Sequence, residues 1–374
     1  MSDRDPGHAS TPAGDDDLPS PHGSSHFYGG QAVIEGVMMR GARVWAVAVR
    51  RPDGAIWLER HPVSDFPERR PLFKKPMLRG MYALVDALRI GTRALTISAN
   101  QSVEEDEQLT KKQMGGSLIA ALLLFIGVFI VVPNLGLAAL HNRIGSETLY
   151  HIIEGLVRVV IFLGYILAIS ALADIRRVFA YHGGEHRTIA AWEHDERLEP
   201  SAVQKYSTLH VRCGTNFLIM VMLIAILVYS VAGAIVPTPD TNVLGKAVYH
   251  IVLRIVLLPV VAGLAYEGLR LGARFDNWFV RGLMKPGLWL QLITTKPADD
   301  EQAEVAIRAF EAVVPRADLE GRTVALPSPV VWGPDEAPEG VYGLPMSAGA
   351  SDDGLADERD EHASTRQDQT PRRP

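Results

Sequence analysis

Apolar side chains are grouped along this chain in long blocks, and the blocks alone predict most of its elements. Four of them, at roughly 116–140, 152–175, 216–236 and 249–272, are continuous and long enough to cross a hydrocarbon core of about 30 Å as helices. Between 77 and 100 apolar residues such as Leu78, Met81, Leu84, Leu88 and Leu95 recur at helical spacing, but Arg79, Asp86, Arg89 and Arg93 interrupt them. Those charges disfavour a span, so an amphipathic helix in the membrane interface is expected there. A segment at 299–314, apolar at Ala303, Ala306, Ile307 and Phe310 among acids, predicts a soluble amphipathic helix. Two extended runs at 45–50 and 55–60, joined by Arg51-Pro52-Asp53-Gly54, predict a β-hairpin. The glycine-punctuated run at 29–41 reads in two ways, as a tight strand-and-turn core or as a loop lining a site.

The expected fold class is therefore an all-α integral membrane protein, with about four transmembrane helices, an interfacial helix and a small cytoplasmic cap bearing a β-hairpin. Its expected parts are a disordered tail at 1–26, a hairpin cap and basic connector at 27–76, and the interfacial helix at 77–100. A four-helix membrane domain follows at 116–272, with a cytoplasmic His/Glu loop at 176–215. An interfacial and amphipathic segment at 273–315 and a second disordered tail at 320–374 complete the chain.

Composition and charge refine this. Both ends are rich in Ser, Pro, Gly and Asp, a composition that buries too little apolar surface to offset ordering. The formal net charge is −6, yet acids collect at the ends while bases flank the apolar blocks, so no nucleic-acid face is indicated. The connector holding Arg69, Arg70, Lys74 and Lys75 favours a bilayer with anionic headgroups as partner. Lys111 and Lys112 precede the first block, Arg176, Arg177, Arg187, Arg197, Lys205 and Arg212 lie between the second and third, and Arg274, Arg281 and Lys285 follow the fourth. The two short connections carry only Arg143 and Lys246, so the positive-inside rule predicts a multi-pass protein with both termini and the middle segment cytoplasmic. No apolar signal region opens the chain, so insertion is expected through internal spans, and pairing of the helices across a homo-oligomer stays open.

The candidate chemistry lies in the polar island between the second and third blocks. His182-Gly183-Gly184-Glu185-His186 reads as H-x-x-E-H, the order of inverted zinc hydrolases, where two histidines one helical turn apart share a metal and the carboxylate takes a proton from water. His182 and His186 are the expected ligands and Glu185 the expected general base. Glu267, in the last turns of the fourth block, and Glu193, seven residues beyond His186, are alternative third ligands, with His194 and His210 as further nitrogen donors. Glu35 is a candidate ligand or base in the glycine-rich run, beside Gln31. Cys213, the single cysteine, is either a nucleophile activated by His210 or a small packing residue, and it excludes a cysteine-rich zinc cluster. A divalent metal is the expected cofactor; zinc is favoured by the His/carboxylate set, while manganese and iron also fit.

Four ordered motifs, GGQAVIEGVMMRG at 29–41, YHGGEH at 181–186, HVRCGT at 210–215 and PGLWLQLITT at 286–295, resemble the bacterial YqhQ-like membrane family across approximately residues 28–315. The resemblance implies an inner-membrane protein of a group labelled as predicted metal-dependent enzymes. The family usually has His-Gly-Ala-Glu-His-Lys where this chain has Gly184 and Arg187, which leaves no lysine there for a Schiff base. The function expected from the residues is a metal-dependent hydrolase acting at the cytoplasmic membrane surface. One alternative is a non-enzymatic scaffold or transport component with a structural His/Glu network. Another is a metal-ion carrier using Glu154, Arg158, His250 and Arg254. A carrier predicts flux across liposomes, a hydrolase predicts turnover without flux, and a scaffold predicts neither.

Overall fold

The computed structural model describes residues 28–343 of the 374, apart from 105–106, 134–135, 138–143, 145, 211–212, 237–238, 240–242, 273–277 and 338–340. The tail expected at 1–26, the part of the second tail beyond 343, and the bases Arg143, Arg212 and Arg274 lie outside the described residues.

The expectation of an all-α fold needs correction, because the cap is built on a five-stranded mixed sheet. Strands β1 (Gly29–Val33), β2 (Gly36–Arg40), β3 (Val44–Arg50) and β4 (Ile56–Pro62) form an antiparallel meander, and β5 (Val330–Asp335) joins β4 in parallel. The predicted hairpin is β3–β4. Its turn closes where Gly54, at φ +85°, donates its N–H to the Arg51 carbonyl at 3.0 Å. The glycine-rich run is the β1–β2 hairpin, so its strand-and-turn reading is the one the chain adopts. Gly36 is required there, since a Cβ would stand 2.3 Å from the Ala48 carbonyl oxygen of β3.

The longer helices are α1 (Leu78–Gln101), α2 (Lys111–Ile126), α3 (Glu147–Ile169), α4 (Ala173–Glu193), α5 (Gly214–Ile235), α6 (Val243–Gly272), α7 (Trp278–Thr294) and α8 (Asp300–Glu311). Because successive strand residues point to opposite faces, the sheet can bury apolar side chains on both. On one face Val33, Met38, Trp45, Val47 and Val49 pack under Ile90 and Ala94 of α1. On the other, Val37, Met39, Ala46 and Ala48 pack against Tyr181, Ile189 and Trp192 of α4 and Ala306 and Phe310 of α8. The cap thus brings together side chains from the stretches expected at 27–76, 176–215 and 273–315, around the two faces of one sheet. Residues 320–337 also depart from the expected tail: β5 pairs with β4, the Ser328 N–H and hydroxyl donate to Glu304, and the Arg308 guanidinium donates to the Leu326 carbonyl.

Four stretches, Lys112–Val131, Thr148–Ile169, Gly214–Ile235 and Val248–Leu271, are long and apolar enough to cross a membrane. The first runs from α2 through a π turn at Gly127–Val131. Their outer faces carry exposed Leu122, Val160, Leu227 and Ile255, as a lipid-facing surface requires. Helix α1 does not lie alone in an interface. Its first turns pack on α6, where Gly80 leaves room for Tyr266 and Gly263 for Met77, and Asp86 is buried in a 2.7 Å ion pair with Arg40. Toward the bundle end remote from the cap, Glu154 accepts from Arg158 at 2.7 Å and from Arg254, with His151 Nδ1 3.4 Å away and the His250 ring against His151. The residues of the carrier reading are therefore held together as an ion-paired group.

Candidate metal centre

The polar island, expected within a loop, is the second half of α4. A glycine inside a helix costs about 1 kcal/mol relative to alanine, so two in succession need a reason from packing. For Gly183 that reason is a backbone crossing. A Cβ there would stand 1.8 Å from the Lys296 carbonyl oxygen, and the Lys296 N–H donates to the Phe179 carbonyl at 2.8 Å. Gly184 faces Ala298 more loosely, with its Cβ position 3.3 Å from that side chain.

This crossing orients the histidines. His182 and His186 stand one turn apart with ring centroids separated by 4.4 Å. The Nδ1–H of His182 donates to the Thr294 carbonyl at 2.8 Å, and the Nδ1–H of His186 donates to that of Thr208. With Nδ1 carrying the proton, each Nε2 presents a lone pair. Nε2 of His182 lies 3.2 Å from Cys213 Sγ. Nε2 of His186 is buried without a well-aligned hydrogen bond. One ligand atom from each of His182, His186 and Cys213 lies within 4.8 Å of the other two.

Two further groups flank this triad. The His210 ring is 5.6 Å from that of His186, and its Nε2 is 3.6 Å from Glu193 Oε2. The fully buried Gln291 of α7 fixes the His210 backbone, accepting from its N–H at 2.8 Å and donating to its carbonyl at 2.9 Å. Gly287 admits Asn216 beside it, as a Cβ would stand 1.9 Å from Asn216 Oδ1. Glu185 is buried against β1, where the Gly30 N–H donates to it and a Gly30 Cβ would come within 2.9 Å of its carboxylate; its Oε2 has no hydrogen-bond partner. Burial raises the Glu185 pKa, opposed by His182, His210 and the Gly30 N–H. Burial lowers that of His186; Cys213 opposes this, and His182 and His210 reinforce it.

Several expected participants sit elsewhere. Glu267 lies apart from the histidines, on α6. Its carboxylate is held by Arg79, with Nε to Oε1 at 2.7 Å, and accepts weakly from the Met77 N–H at 3.4 Å. Glu193 faces His210 rather than the triad. Glu35, at φ 49° in the β1–β2 turn, pairs with Arg177 and accepts from the Tyr181 hydroxyl at 3.2 Å. Gln31 lies on the opposite sheet face from Gly30, its Oε1 2.6 Å from where a Gly91 Cβ would stand on α1. His194 is exposed and bonds the Ala190 carbonyl of its own helix. Cys213 stands beside His182 and His186, where a carboxylate was expected. The orienting groups Thr208, Gln291 and Thr294 carry no ligand chemistry of their own. For Gln291 and Thr294 the signal was an amide and threonines in the otherwise apolar PGLWLQLITT run; Thr208 carried none.

Compared with known proteins, residues 75–316 match the family described as "Protein of unknown function (DUF1385)". The chain is 37% identical over 312 residues to "Uncharacterized protein YqhQ" of Bacillus subtilis (strain 168), which covers 79% of this chain and 94% of that protein. No solved structure matches the chain.

Proposed function

The chain belongs to the DUF1385 family of proteins of unknown function, and from that premise we propose that it is a divalent-metal-dependent hydrolase of the bacterial inner membrane, with its site on the cytoplasmic side. One observation carries the reading: the imidazoles of His182 and His186 and the Cys213 thiol converge within 4.8 Å. Both Nδ1 protons are committed to backbone carbonyls, and the buried His186 Nε2 lacks a well-aligned hydrogen bond. A nitrogen–sulfur donor set of this kind suits zinc better than manganese. Three protein ligands leave a fourth position for water or substrate.

A divalent ion held there would supply Lewis-acid activation of water and of a carbonyl or phosphoryl oxygen. Glu185 would accept the proton at Oε2, with the Gly30 N–H holding its other end in place. His210, steadied by Gln291 and facing Glu193, is the remaining proton-carrying group beside the triad. Because α4 begins at Ala173, directly after the apolar stretch Thr148–Ile169, the favoured substrate is a membrane-proximal peptide or lipid. Arg176, Arg177, Arg187, Arg197 and Lys205 on the cap side, against Lys246 beyond the far end of the bundle, support the orientation.

The burial of His186 and Glu185, at 1% and 4% exposure, favours a second reading in which the ion is structural and the protein a scaffold. Metal analysis of detergent-purified protein, beside turnover of ester, amide and phosphodiester probes, separates the two. The hydrolase reading expects near-stoichiometric metal in the wild type and in Glu185→Gln, metal lost in His186→Ala, and turnover only in the wild type. Metal without turnover of any probe would leave the structural reading, and no metal after reconstitution would overturn both.

A further inference from the structure

Helix α7 borders the metal centre, and its two faces differ in kind. Residues 278, 282, 285, 289 and 292 fall on one face at helical spacing and are all exposed, with Trp278, Trp289 and Leu292 at 85%, 64% and 60%. Met284, Gly287, Gln291 and Thr294, on the other face, are buried. The contacts of that buried face give its depth. Met284 packs with Met220 of α5 and Ala265 of α6, each six residues inside the end of its membrane-crossing stretch, or about 9 Å at 1.5 Å per residue. Gly287 lies against Asn216, two residues into the stretch Gly214–Ile235, and Gln291 bonds His210, just before it. Helix α7 therefore rises antiparallel to α5, from within the leaflet at Met284 to the cap at Thr294. Trp289 comes out level with the first turn of α5, and the lysine one turn below it, Lys285, has a stem long enough to return its ammonium to the headgroups. Tryptophan at the end of the spans, with lysine and leucine beside it, suits the boundary between headgroups and acyl chains.

The same helix holds the surroundings of the triad. Its Thr294 carbonyl accepts from His182, and its Gln291 amide clasps both backbone groups of His210. Directly after it, the Thr295 hydroxyl stands 3.1 Å from that of Thr208, whose carbonyl accepts from His186. A shift of α7 along α5 moves all of these together.

We infer that the outer face of α7 is a lipid-contact surface, with Trp289 and Leu292 in the headgroup–acyl boundary of the leaflet facing the cap, and that this seating keeps His182, His186 and Cys213 in register. The seating needs no ion, so it is tested on the metal-free chain and its failure is separate from that of the hydrolase reading. In nanodiscs of acyl-brominated phosphatidylcholine, tryptophan quenching of the full chain should fall severalfold in Trp278→Phe/Trp289→Phe, because Trp45, Trp57, Trp192 and Trp332 lie in the cap. Cys213, the single cysteine and 7% exposed, reports the coupling through its rate of alkylation by N-ethylmaleimide. That rate should rise about tenfold in Trp289→Gln/Leu292→Gln, the change in local opening that about 1.4 kcal/mol corresponds to. It should keep its wild-type value in Trp289→Phe and in Leu227→Gln, a position of α5 with 59% exposure. Unchanged quenching in Trp278→Phe/Trp289→Phe would overturn the placement against lipid. A wild-type rate in Trp289→Gln/Leu292→Gln, or an equal acceleration in Leu227→Gln, would overturn the coupling.

Discussion

At the residue scale, the adjacent glycines of α4 have opposite tolerances. A methyl at Gly183 would collide with the Lys296 backbone carbonyl at 1.8 Å, and the crossing segment cannot yield without moving the Thr294 carbonyl that orients His182. Gly183→Ala is therefore expected to lower stability by about 1–3 kcal/mol, and to weaken metal retention with it. Gly184 needs its neighbour to give only a few tenths of an ångström, so the helix-propensity gain of up to about 1 kcal/mol makes Gly184→Ala neutral or stabilising. Thermal unfolding of both variants in detergent, with and without added zinc, checks the contrast. The sequence made His182, His186 and Glu185 legible because their spacing survives in any helix. It did not show where Glu267 goes, because the pairing of a distant carboxylate is a tertiary fact: Arg79 holds Glu267.

At the element scale, α8 shows what a sequence pattern hides. Its acids suggested a helix with one wet face, yet Gln302, Glu304, Arg308 and Glu311 are all buried, because residues 320–337 fold across it. Glu311 accepts from Arg308 at 3.3 Å, but burial outweighs this pairing and pushes its pKa up to about 7. Between the unfolded value of 4.5 and about 7 the folded state binds the extra proton, so stability falls as pH rises through that window. The loss is on the order of 3 kcal/mol. Melting temperatures at the two ends of the window should show a smaller pH-dependent drop for Glu311→Gln than for the wild type. The same elements explain why the sheet was half seen. The β3–β4 hairpin announced itself by its turn, whereas β5 sits in a Pro- and Gly-rich stretch whose partner lies more than two hundred residues away.

At the scale of the whole molecule, the orientation proposed above, with the cap in the cytoplasm, rests on the bias of basic residues around the four apolar stretches. A cysteine at Lys246 should then react with a membrane-impermeant maleimide in intact cells, and one at Lys205 only after lysis; the reverse pattern would invert the topology. The native Cys213 is buried and supplies little background. The parallel pairing of β5 with β4 has a consequence for biosynthesis. The first four strands leave the ribosome before any apolar stretch, and the strand that covers the edge of β4 leaves after all four. Until then that edge offers unpaired backbone groups to any other chain. Closure of the cap therefore reports that synthesis has passed the last span, and a chain truncated within the bundle exposes an open sheet edge at the membrane surface, where quality-control proteases can act on it.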